Sequence, residues 1–115
     1  MAEDCFPSNH FLRSGLAKRL GFTLRTASLR QGATWVEDED FIAGWTPEVG
    51  MALLSWVSSV SPRRCGLGAL VAHGRWMESL IGVDITLAIG LLHFDVAAPA
   101  IDFAVSTNLK WTCGS

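Results

Sequence analysis

Residues 100 to 112, AIDFAVSTNLKWT, place Ile101, Phe103, Val105, Thr107, Leu109 and Trp111 on one side. Asp102, Ala104, Ser106, Asn108, Lys110 and Thr112 fall on the other. A two-residue period held that long predicts a strand with one buried and one wetted face. The preceding segment offers a partner: Ile85, Leu87 and Ile89 alternate with Asp84, Thr86 and Ala88, and past Gly90 the apolar set becomes Leu92, Phe94 and Val96. A phase shift at a glycine is what a bulge produces. With AAPA as the connection, the two runs, about 83–97 and 101–112, predict a long bent β-hairpin.

Upstream, two helices are expected. Ser8 or Asn9 can cap a first helix through Leu20, with Leu12, Leu16 and Leu20 stacked at a four-residue spacing and Gly21 placed to end it. The second starts at Thr46-Pro47-Glu48, a cap, a proline at the first helical position and an acid near the positive end of the dipole. Val49, Leu53, Trp56 and Val60 then fall on one helical face, and Pro62 ends the run, so residues 46–60 are predicted helical. FTLRTASLR reads as a short strand, the acidic run Glu37 to Asp40 as an exposed turn, and LGALVAH as a buried strand. The resulting fold class is α+β: two helices on one face of a curved, mainly antiparallel sheet that ends in the bent hairpin. At 115 residues the expectation is a single globular domain, 1–115.

Half of the residues are apolar and 17% are charged, and there are five tryptophans and no tyrosine. Apolar surface beyond the needs of a core is the expected consequence, with Trp35, Trp45, Trp76 and Trp111 as interface candidates. Net charge is −2, which excludes a general attraction to nucleic acid or to anionic membrane. Its distribution is uneven: residues 1–36 hold five basic and two acidic side chains, and residues 37–115 hold four basic and nine acidic ones. The basic residues Arg13 to Arg30 could touch phosphate, but Phe11 and Phe22 are the aromatics placed among or beside them for stacking, so nucleic acid is disfavoured as a partner.

The longest run free of charge and histidine, Val49 to Pro62, is too short and too rich in serine to span a membrane. The start MAEDCF lacks the apolar core of a signal peptide. Cys5, Cys65 and Cys113 are odd in number and lack metal-ligand spacing, so neither a disulfide framework nor a metal site is indicated. The cytoplasm or another reducing compartment is the simplest location.

Chemistry-bearing residues are few. His93 and Asp95 share the face opposite Leu92, Phe94 and Val96, where an outward polar rim is the plainer reading. A curled sheet could instead turn them into a mouth with Asp102, where a carboxylate would orient the imidazole as a general base. Asp84, Asp95 and Asp102 all lie on the hairpin, and Asp95 and Asp102 could meet across it as a carboxylate pair. Cys65 follows Arg63 and Arg64, whose charge would lower a thiol pKa. No glycine pattern or catalytic motif calls for a cofactor, and none is expected.

Two functions remain open on these grounds. One is a non-enzymatic interaction or assembly subunit that buries its apolar surplus in a homo-oligomer or against another protein. The alternative is a small apolar-ligand-binding domain, or a small enzyme of the isomerase or hydrolase type. Its pocket would lie between helix 46–60 and the curved sheet, with His93, Asp95 and Asp102 at the mouth.

Overall fold

A computed structural model describes the chain except Pro62, Asn108, Trp111, Thr112, Gly114 and Ser115. Its elements run α1 (Pro7–Leu20), α2 (Asp38–Gly44), β1 (Met51–Ser55), α3 (Leu67–Trp76), β2 (Leu80–Asp84) and β3 (Phe103–Val105). The strands form one open sheet in the order β1-β2-β3, and both pairings are parallel. Met51 lies opposite Leu80, Ser55 opposite Asp84, and Asp84 opposite Val105.

This corrects the expected antiparallel sheet and hairpin. After β2 the chain does not continue as a strand. Ala88 and Ile89 N–H donate to the Ile85 carbonyl, and Leu91 and Leu92 N–H donate to that of Ala88. The alternation over 85–89 is thereby coiled into consecutive turns, and Gly90, at φ +85°, lies in them rather than in a bulge. The return segment then pairs alongside β2 in the same direction, over three residues only. Of the long strand expected over 101–112, positions 108, 111 and 112 lie outside the described residues.

The assignments of 46–60 and 67–73 are reversed. Thr46 to Val49 form a turn closed by Val49 N–H on the Thr46 carbonyl, and the apolar run that follows is strand β1. Strands of a parallel sheet are covered on both faces and read as continuous apolar runs, so MALLS satisfies a strand as well as a helix. LGALVAH belongs to α3, whose buried residues Leu67, Leu70, Val71 and Gly74 keep the three-and-four spacing of one helical face.

The expected first helix is present but starts earlier, at Pro7 after Phe6, so Ser8 and Asn9 lie inside it and neither caps it; it is ended by Gly21 in the left-handed conformation (φ +75°) with its N–H on the Ala17 carbonyl. Its leucine line is not buried, however: Leu12 and Leu20 are 60% and 64% exposed. FTLRTASLR forms no strand and makes only an isolated bridge, Ala27 with Ala2. The acidic run starts α2, where the Glu37 and Asp40 side chains form a reciprocal capping box and the carboxylates meet the positive end of the helix dipole.

α3 connects β1 to β2 and packs on the sheet face bearing Ala52, Leu54, Ile81 and Val83. Trp45 completes this core beside Gly74, where a Cβ would come within 2.6 Å of the indole and 2.9 Å of Ile81. The opposite face is more open, with Met51, Leu80, Phe103 and Val105 between 38% and 55% exposed. Phe103 lies on Gly82, whose missing side chain leaves the room its ring occupies.

Candidate functional site

In an open sheet of parallel strands, groups at the carboxyl ends converge on a crevice outside the sheet. Here β1 ends at Ser55 and β2 at Asp84, and the chain leaving β3 reaches Thr107. Hydrogen bonds tie these exits together: Trp56 N–H to the Asp84 carbonyl (3.1 Å), Ile85 N–H to the Val105 carbonyl (2.9 Å) and Thr107 N–H to Thr86 Oγ1 (3.2 Å). The cleft they frame has a volume of about 170 Å³ and is lined by Ser55, Asp84, Thr86, Thr107 and Lys110, with Phe6 from the leading segment. A cavity of about 150 Å³ admits a benzene ring, so a single six-membered ring fits this space.

Asp84 is its central acid. Thr86 N–H donates to Oδ1 at 3.0 Å, and Asn9 Nδ2 of α1 donates to Oδ2 at 3.5 Å. Arg13, one turn further along α1, is near enough to interact with the Asp84 charge; burial pulls its pKa down while Cys5 and Asp84 oppose that pull. The sequence holds two lysines, Lys18 and Lys110, and among the described lining residues Lys110 is the only amine.

The opposite wall is built by Arg63 and Cys65 from the loop after β1. Arg63 Nη2 lies 2.8 Å from Glu37 Oε2 and 3.0 Å from Asp38 Oδ1, and Nη1 donates to the Val36 carbonyl. Asp38 Oδ2 also accepts Gly66 N–H at 2.8 Å, which fastens α2 to the start of α3. Burial, and then the Asp38 carboxylate, push the Cys65 thiol up to about 12, outweighing the neighbouring arginines. The lowered pKa that the arginines suggested for Cys65 is therefore reversed.

His93 and Asp95 line a second, shallower cleft with Trp56, Leu67, Phe94 and Pro99. Both are exposed, and Asp95 Oδ1 accepts Ala97 N–H in a local turn. Asp102 is not with them: it precedes β3 near the amino end of the sheet, paired with Arg75 Nη1 at 2.8 Å and accepting Ile81 N–H at 2.6 Å. Of the interface candidates, Trp45 is in the core at 5% exposure, Trp35 is half-buried and Trp76 is 84% exposed. Trp111 lies outside the described residues. Among the described residues no cluster of three or more His, Cys, Asp or Glu side chains could hold a metal ion, and no helix is long and apolar enough to cross a membrane.

No family model matches the sequence, nor does any curated protein. The backbone, in contrast, is similar to solved enzymes. C-DES, in a variant described with glycine covalently linked to its PLP cofactor, superposes with a TM-score of 0.83 at 18% identity, over 99% of this chain and 31% of that one. The chain shares that fold. Ureidoglycine–glyoxylate aminotransferase from Bacillus subtilis gives 0.70 at 21% identity, covering 94% of this chain and 27% of the other. Alanine–glyoxylate aminotransferase from Nostoc sp. gives 0.71 at 20%, covering 94% and 28%. The chain spans less than a third of the length of each.

These likenesses overturn the expected non-enzymatic assembly subunit, because the architecture is one that enzymes carry. The alternative pocket falls with helix 46–60, since that segment is a turn and a strand. Sequence reasoning places Asp84 only among the hairpin carboxylates and leaves Lys110 out, so it misses the meeting of the two. Two signals pointed to them: a carboxylate closing the apolar run LIGV, and the scarcity of lysine.

Proposed function

We propose that this chain forms part of a pyridoxal-phosphate-dependent enzyme acting on amino acids, with the cleft at the strand ends as the cofactor site. The observation that carries this reading is the presence of Asp84 and Lys110 on one ring-sized cleft at the carboxyl ends of parallel strands. A lysine amine together with a carboxylate for the pyridinium nitrogen is the pair this cofactor requires. The similarity to C-DES, described with its PLP cofactor, and to two aminotransferases supports it.

The lining suits the group. Asp84, held by Thr86 N–H and Asn9, keeps lone pairs for a protonated ring nitrogen. The hydroxyls of Ser55, Thr86 and Thr107 can donate to phosphate oxygens, and Phe6 and Phe41 offer apolar surface to a ring. Bound pyridoxal phosphate supplies an electron sink for a carbanion formed beside an amino group. Lys110 Nζ would be the amine that holds the group through its aldehyde carbon, with release of water, and once freed from it could carry a proton at the substrate α-carbon. Three free thiols, one of them the exposed Cys113, support a reducing compartment, the cytoplasm included.

The test is to incubate the protein with pyridoxal phosphate, reduce with borohydride and map the modified peptide by mass spectrometry. Label at Lys110, absent in Lys110→Ala and diminished in Asp84→Ala, is expected. Label confined to Lys18, or none at all, would overturn the reading.

A further inference from the structure

α1 contacts the body of the protein in an unusual way. None of its residues is buried, and Phe11, Leu12 and Leu20 are 86%, 60% and 64% exposed, so apolar packing does not dock it. Its connections are polar. His10 Nε2 lies 3.1 Å from the carbonyls of Ala2 and Glu3, and Asn9 and Arg13, four residues apart on one side of the helix, face Asp84. Arg13 Nε is buried without a hydrogen-bond partner, while the residue as a whole is half-buried.

The Asp84 carboxylate is thus met from two sides: Thr86 N–H fixes Oδ1 at 3.0 Å from its own loop, and the Asn9 amide makes a long hydrogen bond, 3.5 Å, to Oδ2 from α1. A carboxylate on a freely rotating χ2 presents its lone pairs in many directions, whereas one held at both oxygens presents them in one.

We infer that Asn9 is a positioning residue for Asp84, so that docking of α1 sets the orientation of the cleft's central carboxylate. The effect on cofactor binding rests on the proposed pyridoxal phosphate site; the effect on Asp84 does not. The charged or titratable groups that interact with Asp84 are Arg13 on α1 and Cys5 ahead of it, and Asp4, Arg63 and Lys110 line the same cleft.

Asn9→Ala and Asn9→Asp in the full chain test this in two ways. In the cofactor-free protein, amide hydrogen exchange at Thr86 reports whether Asp84 still holds its N–H. The Ile85 amide, bonded to the Val105 carbonyl, serves as reference. Asn9→Ala is expected to speed Thr86 exchange roughly tenfold or less, as loss of one modest hydrogen bond would, with Ile85 unchanged. Pyridoxal phosphate titrated by tryptophan quenching is expected to bind about tenfold more weakly to Asn9→Ala at every pH. Asn9→Asp places a second carboxylate beside Asp84 and is expected to bind worst near neutrality. Its affinity should recover as pH falls, because a protonated carboxyl donates again.

Unchanged Thr86 exchange in folded Asn9→Ala would overturn the inference, as would the same pH profile for both variants. Should Asn9→Ala fail to fold, Thr86 exchange in Asn9→Asp, measured above and below the carboxylate range, decides in its place. Failure of the wild-type protein to take up pyridoxal phosphate would sink the proposed cofactor site, while the Thr86 exchange would still decide the role of Asn9.

Discussion

Trp45 Nε1 donates to Ser79 Oγ across 2.9 Å in an interior where the two residues are 5% and 2% exposed. Ser79 O–H in turn donates to the Val49 carbonyl. The hydroxyl thus satisfies the one polar side-chain atom of a core tryptophan and ties the start of β2 to the turn before β1. Ser79→Ala leaves the indole N–H without that partner in an interior that water does not reach, at a cost of about 1–3 kcal/mol. Urea unfolding should show a lower midpoint at an unchanged slope; an unchanged midpoint would refute this account.

Cys65 should make the protein sensitive to alkali. Its folded pKa of about 12 lies above the ordinary thiol value of 9.0, so the folded state keeps a proton that the unfolded chain releases. Stability is therefore complete below about pH 9 and falls as pH rises toward 12, by on the order of 4 kcal/mol across the window. Cys65→Ala should flatten that decline. In timed alkylation near pH 8 the exposed Cys113 should react first and Cys65 last.

Asp102 should act in the opposite direction, in acid. The Ile81 N–H first, and Arg75 second, hold its carboxyl below the usual carboxylate range. The stabilisation it gives is present above about pH 4 and is lost as pH falls through its lowered folded value. Because Asp102 N–H also donates to the Ile81 carbonyl, this residue fastens the entry of β3 to β2 from both backbone directions. Asp102→Asn is expected to be less stable than wild type near neutrality and equal to it in strong acid. A difference that persists in acid strong enough to protonate Asp102 in the folded protein would assign the effect to packing instead.

Legibility in the sequence follows the range of the determining interactions. α1 and its stop at Gly21 were readable, because a helix end is a matter of a few neighbouring residues. The strand character of residues near 83 and 103–105 was readable as well. The direction of pairing was not, since alternation is the same in a parallel and an antiparallel strand. Leu53 and Trp56 satisfy helical spacing and also lie in a continuous apolar stretch, so β1 was read as a helix. LGALVAH goes the other way: Leu67, Leu70 and Val71 keep helical spacing within it, but a short apolar run suits a buried strand equally well.

The candidate site was the least legible part. His93, Asp95 and Asp102 drew notice because they lie close together in the chain, yet the cleft at the strand ends is made of Asp84 and Lys110, with Asn9 reaching in from the first helix.

Local features are legible in the chain alone: a first helix that stops at Gly21, the apolar runs that must be covered and the scarcity of lysine. Only the tertiary structure decided that β2 and β3 run the same way and that both exits open on one cleft. The physical reason is that hydrophobic periodicity specifies which face of an element is buried, whereas strand direction, and with it the meeting of distant polar groups, is set by the long-range path of the chain.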